Sequence, residues 1–128
     1  MYANSTRTND PVAKSIVTSE MVTTTEGSTL ILKCPPSSSK HTLWEKSPLT
    51  DFKITAYAED NQINPSLEHA NRLRVVGNFS IGIYNLQILN VSLVDEGIYR
   101  CSYENNNTSH TKGIRVSLKS KYFFLSNF

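Results

Sequence analysis

The sequence predicts an all-β protein: eight or nine short strands in an antiparallel sandwich or barrel, with no convincing helix. Three observations carry this. Val and Ile together number 17 and Ala only five, a bias toward strands. The β-rich runs are short and end in turn residues. Several runs alternate with a period of two: Leu30, Leu32 and Cys34 against Thr29, Ile31 and Lys33, and Ile114, Val116 and Leu118 against Gly113, Arg115 and Ser117.

In chain order, 16–25 is the first strand, ended by Glu26-Gly27, and 29–34 the second. Pro35-Pro36-Ser37-Ser38-Ser39 reads as a turn. Strands follow at 42–46 around Trp44, 52–57, 72–76, 84–89, 97–103 and 113–118. Residues 65–70 fit one helical turn, an edge strand or a loop. The polar stretch 1–14 reads as a flexible arm, 15–120 as the folded domain, and the apolar stretch 121–128 as a linker or an appended tail.

Composition excludes several classes. The net charge of +2 argues against a dedicated nucleic-acid binder or a polybasic membrane-surface protein. Charged residues make up 19% of the chain, while Ser, Thr and Asn occupy 40 of its 128 positions. Two cysteines are too few for a disulfide-dense miniature or a four-Cys zinc site. No apolar run approaches the roughly 20 residues that cross a bilayer. The residues after Met1 contain no apolar core of a signal peptide; if the compartment is secretory, a leader, and an anchor or further domains, are expected outside this sequence.

One constellation is more specific. Cys34 ends an alternating strand, Trp44 stands in the next, and Asp95-Glu-Gly-Ile-Tyr-Arg-Cys101 follows Leu86-Gln-Ile-Leu-Asn-Val91. A Cys, a Trp and then D-x-G-x-Y-x-C closely resembles the immunoglobulin superfamily, over roughly 15–119. The resemblance implies a disulfide between Cys34 and Cys101 joining two facing sheets. Trp44, Tyr99, Leu86 and Ile88 would lie in the core, with the Tyr99 hydroxyl on a backbone acceptor near the preceding turn. Closing that loop stabilises the fold by about 4 kcal/mol on the chain-entropy model. Forty residues between Trp44 and Tyr84 leave room for the two extra strands, C′ and C″, of the V-type (V-set) domain, hence about nine strands. V-type domains also pair an Arg with the motif's Asp. Arg74 is favoured to meet Asp95 because it leads into Val75-Val76, with Arg72 as the alternative. The stretch 111–115 lacks the F-G-x-G of antigen-receptor variable domains, which points toward receptor and adhesion relatives.

Glycosylation signals stand at Asn4, Asn78, Asn90, Asn106 and Asn107, while Asn64-Pro65-Ser66 is blocked by its proline. The expected placement is the D–E turn for Asn78, the E–F turn for Asn90 and an F–G loop spanning 104–110 for Asn106 and Asn107. None falls on the expected C, C′, F and G sheet face, which becomes the candidate binding surface. Alternation about Trp44, Tyr99 and Cys101 turns Leu43, Glu45, Arg100 and Ser102 outward, with Lys112 and Arg115 near G. No inward anchor sets the phase of C′, where Lys53, Thr55 and Tyr57 are candidates. Leu43, Arg100 and Tyr57 are the expected hot spots.

Catalysis is not expected. His41, His69 and His110 are scattered, no nucleophile-elbow, H-E-x-x-H or P-loop pattern occurs, and no metal or cofactor is implied. Lys112, Arg115, Lys119 and Lys121 form too sparse a stripe for nucleic acid, and lack interleaved aromatics. The expected function is extracellular protein–protein recognition by a cell-surface receptor domain, in adhesion, immune or allorecognition roles. The partner would be another protein, either a second copy across cells or a different chain, with membrane contact only through segments outside this sequence. A secreted effector or decoy binding a protein or glycan is the alternative. An intracellular structural module sharing this sandwich would be favoured by free thiols at Cys34 and Cys101, and the glycosylation signals speak against it.

Overall fold

A computed structural model describes residues 16–119 as two stacked sheets. The expected arm at 1–14, the expected linker or tail at 121–128 and the signal at Asn4 lie outside the described residues. Nine strands are present among the described residues: β1 Ile16–Thr25, β2 Leu30–Leu32, β3 Leu43–Ser47, β4 Thr55–Glu59, β5 Gln62–Ile63, β6 Leu73–Val76, β7 Asn85–Ile88, β8 Gly97–Asn105 and β9 Thr108–Lys119. One sheet runs β1-β9-β8-β3-β4-β5 and the other β2-β7-β6. Stretch 65–70 supplies turns rather than a strand, and a 3-10 turn follows at Ala70–Arg72.

The pairings are antiparallel except that of β1 with β9, which is parallel over all ten residues of β1. The turn after β1 is responsible. Gly27 adopts φ +89°, and its N–H donates to Val91 O while Ser28 O accepts from Val91 N–H. The chain therefore crosses to the second sheet instead of folding back as a hairpin, and β1 is left to pair along the last strand.

The core lies between the sheets and is set by alternation. Leu32, Trp44, Leu73, Leu86, Ile88, Tyr99, Cys101, Ile114 and Val116 are almost fully buried. The Cys34–Cys101 disulfide bridges the sheets through this core. Trp44 packs in the same core and donates its indole N–H to Tyr84 O at 2.9 Å. A Cβ at Gly97, where φ is +156°, would stand 2.6 Å from Ser47 O, so only glycine lets β8 start this close to β3.

Asp95 has no exposed surface and holds the base of the sandwich. Arg72, not the favoured Arg74, meets it: Nη1 and Nη2 donate to the two carboxylate oxygens at 2.9 and 3.0 Å. Leu73 takes the inward position at the start of β6, so Arg74 beside it points away and is exposed. Arg74 instead donates to Asn71 O and Leu73 O. Arg72 sits in the 3-10 turn ahead of the strand, free of its alternation, and reaches under the end of the sandwich to Leu89 O as well. The Ser92 N–H donates to the same carboxylate, and the Tyr99 hydroxyl donates to Asp95 O at 2.6 Å.

Removing Arg72 would leave a buried carboxylate without its partner, which costs about 3–5 kcal/mol. Arg72→Ala is therefore expected to lower unfolding stability by that amount, whereas Arg74→Ala should stay within about 0.5 kcal/mol of wild type. Urea unfolding of both variants checks this, and equal losses would contradict the assignment of Arg72.

Candidate protein-binding face

Residues paired directly across neighbouring strands share a face, so the registers define the outer surface of the six-stranded sheet. Its central row reads Ser19, Gly113, Arg100, Glu45 and Ala56. On the hairpin side the next row is Val17, Thr111, Ser102, Leu43, Glu59 and Gln62. On the other side Met21, Arg115, Ile98 and Ser47 line up.

Five of the seven sequence candidates share this face: Leu43, Glu45, Arg100, Ser102 and Arg115. Arg100 is at its centre, donating to Ser47 Oγ at 3.2 Å. The other two do not belong to it. Tyr57 is only 3% exposed, because a register shift between Trp44 and Glu45 makes it the extra residue of β4 and turns its ring inward. There it packs edge-on against Tyr99, and its hydroxyl hydrogen-bonds His69 Nε2 at 2.9 Å. Lys112 lies opposite Cys101 and therefore faces the interior. Its ammonium pairs with Glu20 at 2.9 Å and donates to Lys33 O, closing the gap between β1 and β2. On β4, Thr55 pairs with inward-facing Lys46, and Lys53 stands exposed in the preceding loop.

Val17 and Met21, 71% and 77% exposed, extend the face and were not anticipated from the sequence. Their placement depends on the non-local pairing of β1, and no signal within 16–25 carries it. Gly113 leaves the centre open, since a Cβ there would meet only Thr18 O at 3.7 Å. The face thus carries both signs of charge, Arg100 and Arg115 beside Glu45 and Glu59, around apolar Leu43, Val17 and Met21.

The expected 104–110 loop is instead a tight hairpin. Strands β8 and β9 stay paired to Asn105 and Thr108, and Asn106 and Asn107 form the turn with φ of 51° and 65°. Asn tolerates this left-handed conformation, which two-residue hairpins require. Asn106 and Asn107 are exposed at its tip, Asn90 is exposed with φ 52° after β7, and Asn78 is exposed ahead of β7. Among the described residues, no glycosylation signal lies on the outer face.

The groups with displaced proton affinities sit in the interior. Burial lowers the pKa of Lys46, whose ammonium donates to Val94 O and lies over the rings of Tyr57 and Tyr99. Burial raises Tyr57 to about 12 and lowers His69. The hydrogen bond to Asp95 raises Arg72. Each has a partner within the fold, and none belongs to the rows of the outer face. Among the described residues, no three His, Cys, Asp or Glu side chains are grouped to hold a metal ion, and no helix is long and apolar enough to cross a membrane.

Residues 17–119 match the family described as Immunoglobulin V-set domain. The chain belongs to that family. The second Ig domain of the mouse polymeric immunoglobulin receptor has a similar fold, with a TM-score of 0.61 and 14% identity, covering 80% of this chain and 97% of that one. No curated protein matches the sequence. V-set domains are protein-recognition modules, generally without enzymatic activity and typically extracellular.

His69 generates a pH dependence. Its folded-state pKa lies below the unfolded value, so the unfolded chain binds more protons as the medium turns acidic. The stability it contributes is present above about pH 6.5 and is lost as pH falls through the folded pKa. Urea unfolding at pH 7.5 and 5 should show a smaller acid loss in His69→Gln than in wild type. Identical losses would contradict the reading.

Proposed function

We propose that this V-set domain is the extracellular recognition module of a cell-surface receptor, docking another protein through the outer face of β3, β4, β8 and β9. The observation that carries the reading is the distribution of the glycosylation signals. Asn78, Asn90, Asn106 and Asn107 occupy exposed turns and the hairpin tip, while the broad face around Arg100 has none. Glycans on those turns would leave the face accessible and shield the tip.

The residue types support the same surface. Arg is enriched at interface hot spots, and Arg100 lies centrally, with an apolar neighbour in Leu43 and a glycine dip beside it. Acidic and basic residues on adjacent strands would give a partner a fixed register. A second copy is one such partner, since both signs are present on the one face.

Sedimentation velocity of the glycosylated protein over a hundredfold concentration range tests the self-association form. A dimer abolished by Arg100→Glu is expected if the partner is a second copy. A monomer throughout identifies the partner as a different protein, to be found by a cell-surface binding screen. In either case Arg115→Asn, which completes a glycosylation signal with Ser117, should block docking by placing a glycan on the face. Full binding by the glycosylated variant would overturn the assignment of this face.

A further inference from the structure

The edge of a sheet offers unpaired backbone N–H and C=O groups to any strand that can reach it, and soluble proteins keep such edges short or charged. Three of the four edges here follow that rule. β5 has two residues, β6 has four with Arg74 exposed on it, and β2 has three, with the Lys112 ammonium on Lys33 O just beyond. β1 does not. It runs ten residues, Ile16–Thr25, without proline or glycine and without a register break along β9. Its one charged residue, Glu20, is already paired with Lys112.

Gly113 shows which way the free groups point. A Cβ there would stand 3.7 Å from Thr18 O, so the Thr18 carbonyl is turned toward β9. The N–H and C=O of one strand residue share a side, and successive residues alternate. Val17, Ser19 and Met21 therefore direct theirs away from β9, and among the described residues no backbone group bonds to them there.

This row is complementary to itself. Two β1 strands running antiparallel about a two-fold axis at Ser19 would set Val17 opposite Met21, Ser19 opposite Ser19 and Met21 opposite Val17. All three are hydrogen-bonded pairs, giving about six backbone hydrogen bonds. Val17 and Met21 are 71% and 77% exposed, and the pairing lays each against the other on one face. Glu20 falls opposite Thr18. An axis at Glu20 would instead set two carboxylates directly opposite, and an axis at Met21 would set Val17 against Thr25.

We propose that the β1 edge is a homodimer interface, joining two copies of the domain into one continuous sheet through residues 17–21. This goes beyond the docking reading and does not rest on it. An axis at Ser19 is perpendicular to the sheet, so both outer faces lie on the same side and two Arg100 centres are presented together. Such a pair would engage a bivalent partner with avidity that one face lacks.

Sedimentation equilibrium of the glycosylated chain, loaded up to about 1 mM, tests the dimer, because a single strand edge is small and a Kd on the order of 100 μM is expected. Arg100→Glu should dimerise as wild type does. Ser19→Pro removes the N–H at the axis, leaves the bonds to β9 in place and should weaken the dimer at least about tenfold. Ser19→Lys, which sets like charges opposite without altering the backbone, should do the same. Amide exchange by 15N NMR reads the register: Val17, Ser19 and Met21 should exchange about fourfold more slowly at 1 mM than at 20 μM, while Thr18 and Glu20 stay unchanged. A monomer at every concentration, a dimer lost with Arg100→Glu, or a dimer undiminished in both Ser19 variants would overturn the proposal. Partner docking that ignores Arg100→Glu while the edge dimer persists would reject the docking reading alone.

Discussion

A carboxylate with no contact to solvent must be surrounded by donors, and Asp95 organises the base of the sandwich around that requirement. Two guanidinium nitrogens of Arg72 and the Ser92 N–H fill its oxygens, and the Tyr99 hydroxyl closes onto its carbonyl. Arg72 belongs to the start of the three-stranded sheet, and Tyr99 to the centre of the six-stranded one. The cluster therefore ties the sheets at one end, as the Cys34–Cys101 bridge ties them through the middle. Lys46, Tyr57 and His69 pack around it with hydrogen bonds or ring contacts of their own.

This base has a direct consequence for the opposite side of the same strands. Strands alternate, so each residue that anchors β3 or β8 inward fixes a neighbour outward. Trp44 holds Leu43 and Glu45 in place, while Tyr99 and Cys101 do the same for Arg100 and Ser102. Side chains fixed this way from the inner side would lower the ordering cost of the proposed docking. Specificity can then reside in a few side chains on a nearly flat sheet, with the hairpin kept short by Asn106-Asn107.

Local chemistry was enough to reveal much of this. The D-x-G-x-Y-x-C stretch, the cysteine and tryptophan ahead of it, and period-two patterning identify the sandwich, because each reflects a packing demand expressed in adjacent residues. Alternation counted from a known inward anchor likewise places Leu43, Glu45, Arg100 and Ser102. Where no such anchor is close, pattern fails. One extra residue opposite Trp44 and Glu45 turns Tyr57 from surface to core, and Lys112 faces in because its cross-strand partner is Cys101. Arg72 reaches Asp95 from a turn that strand periodicity does not govern. The parallel course of β1 along β9, which brings Val17 and Met21 to the face, joins residues nearly a hundred positions apart. Those outcomes depend on register and on which chains meet, and register is settled by the packing of the whole sandwich rather than by any one segment.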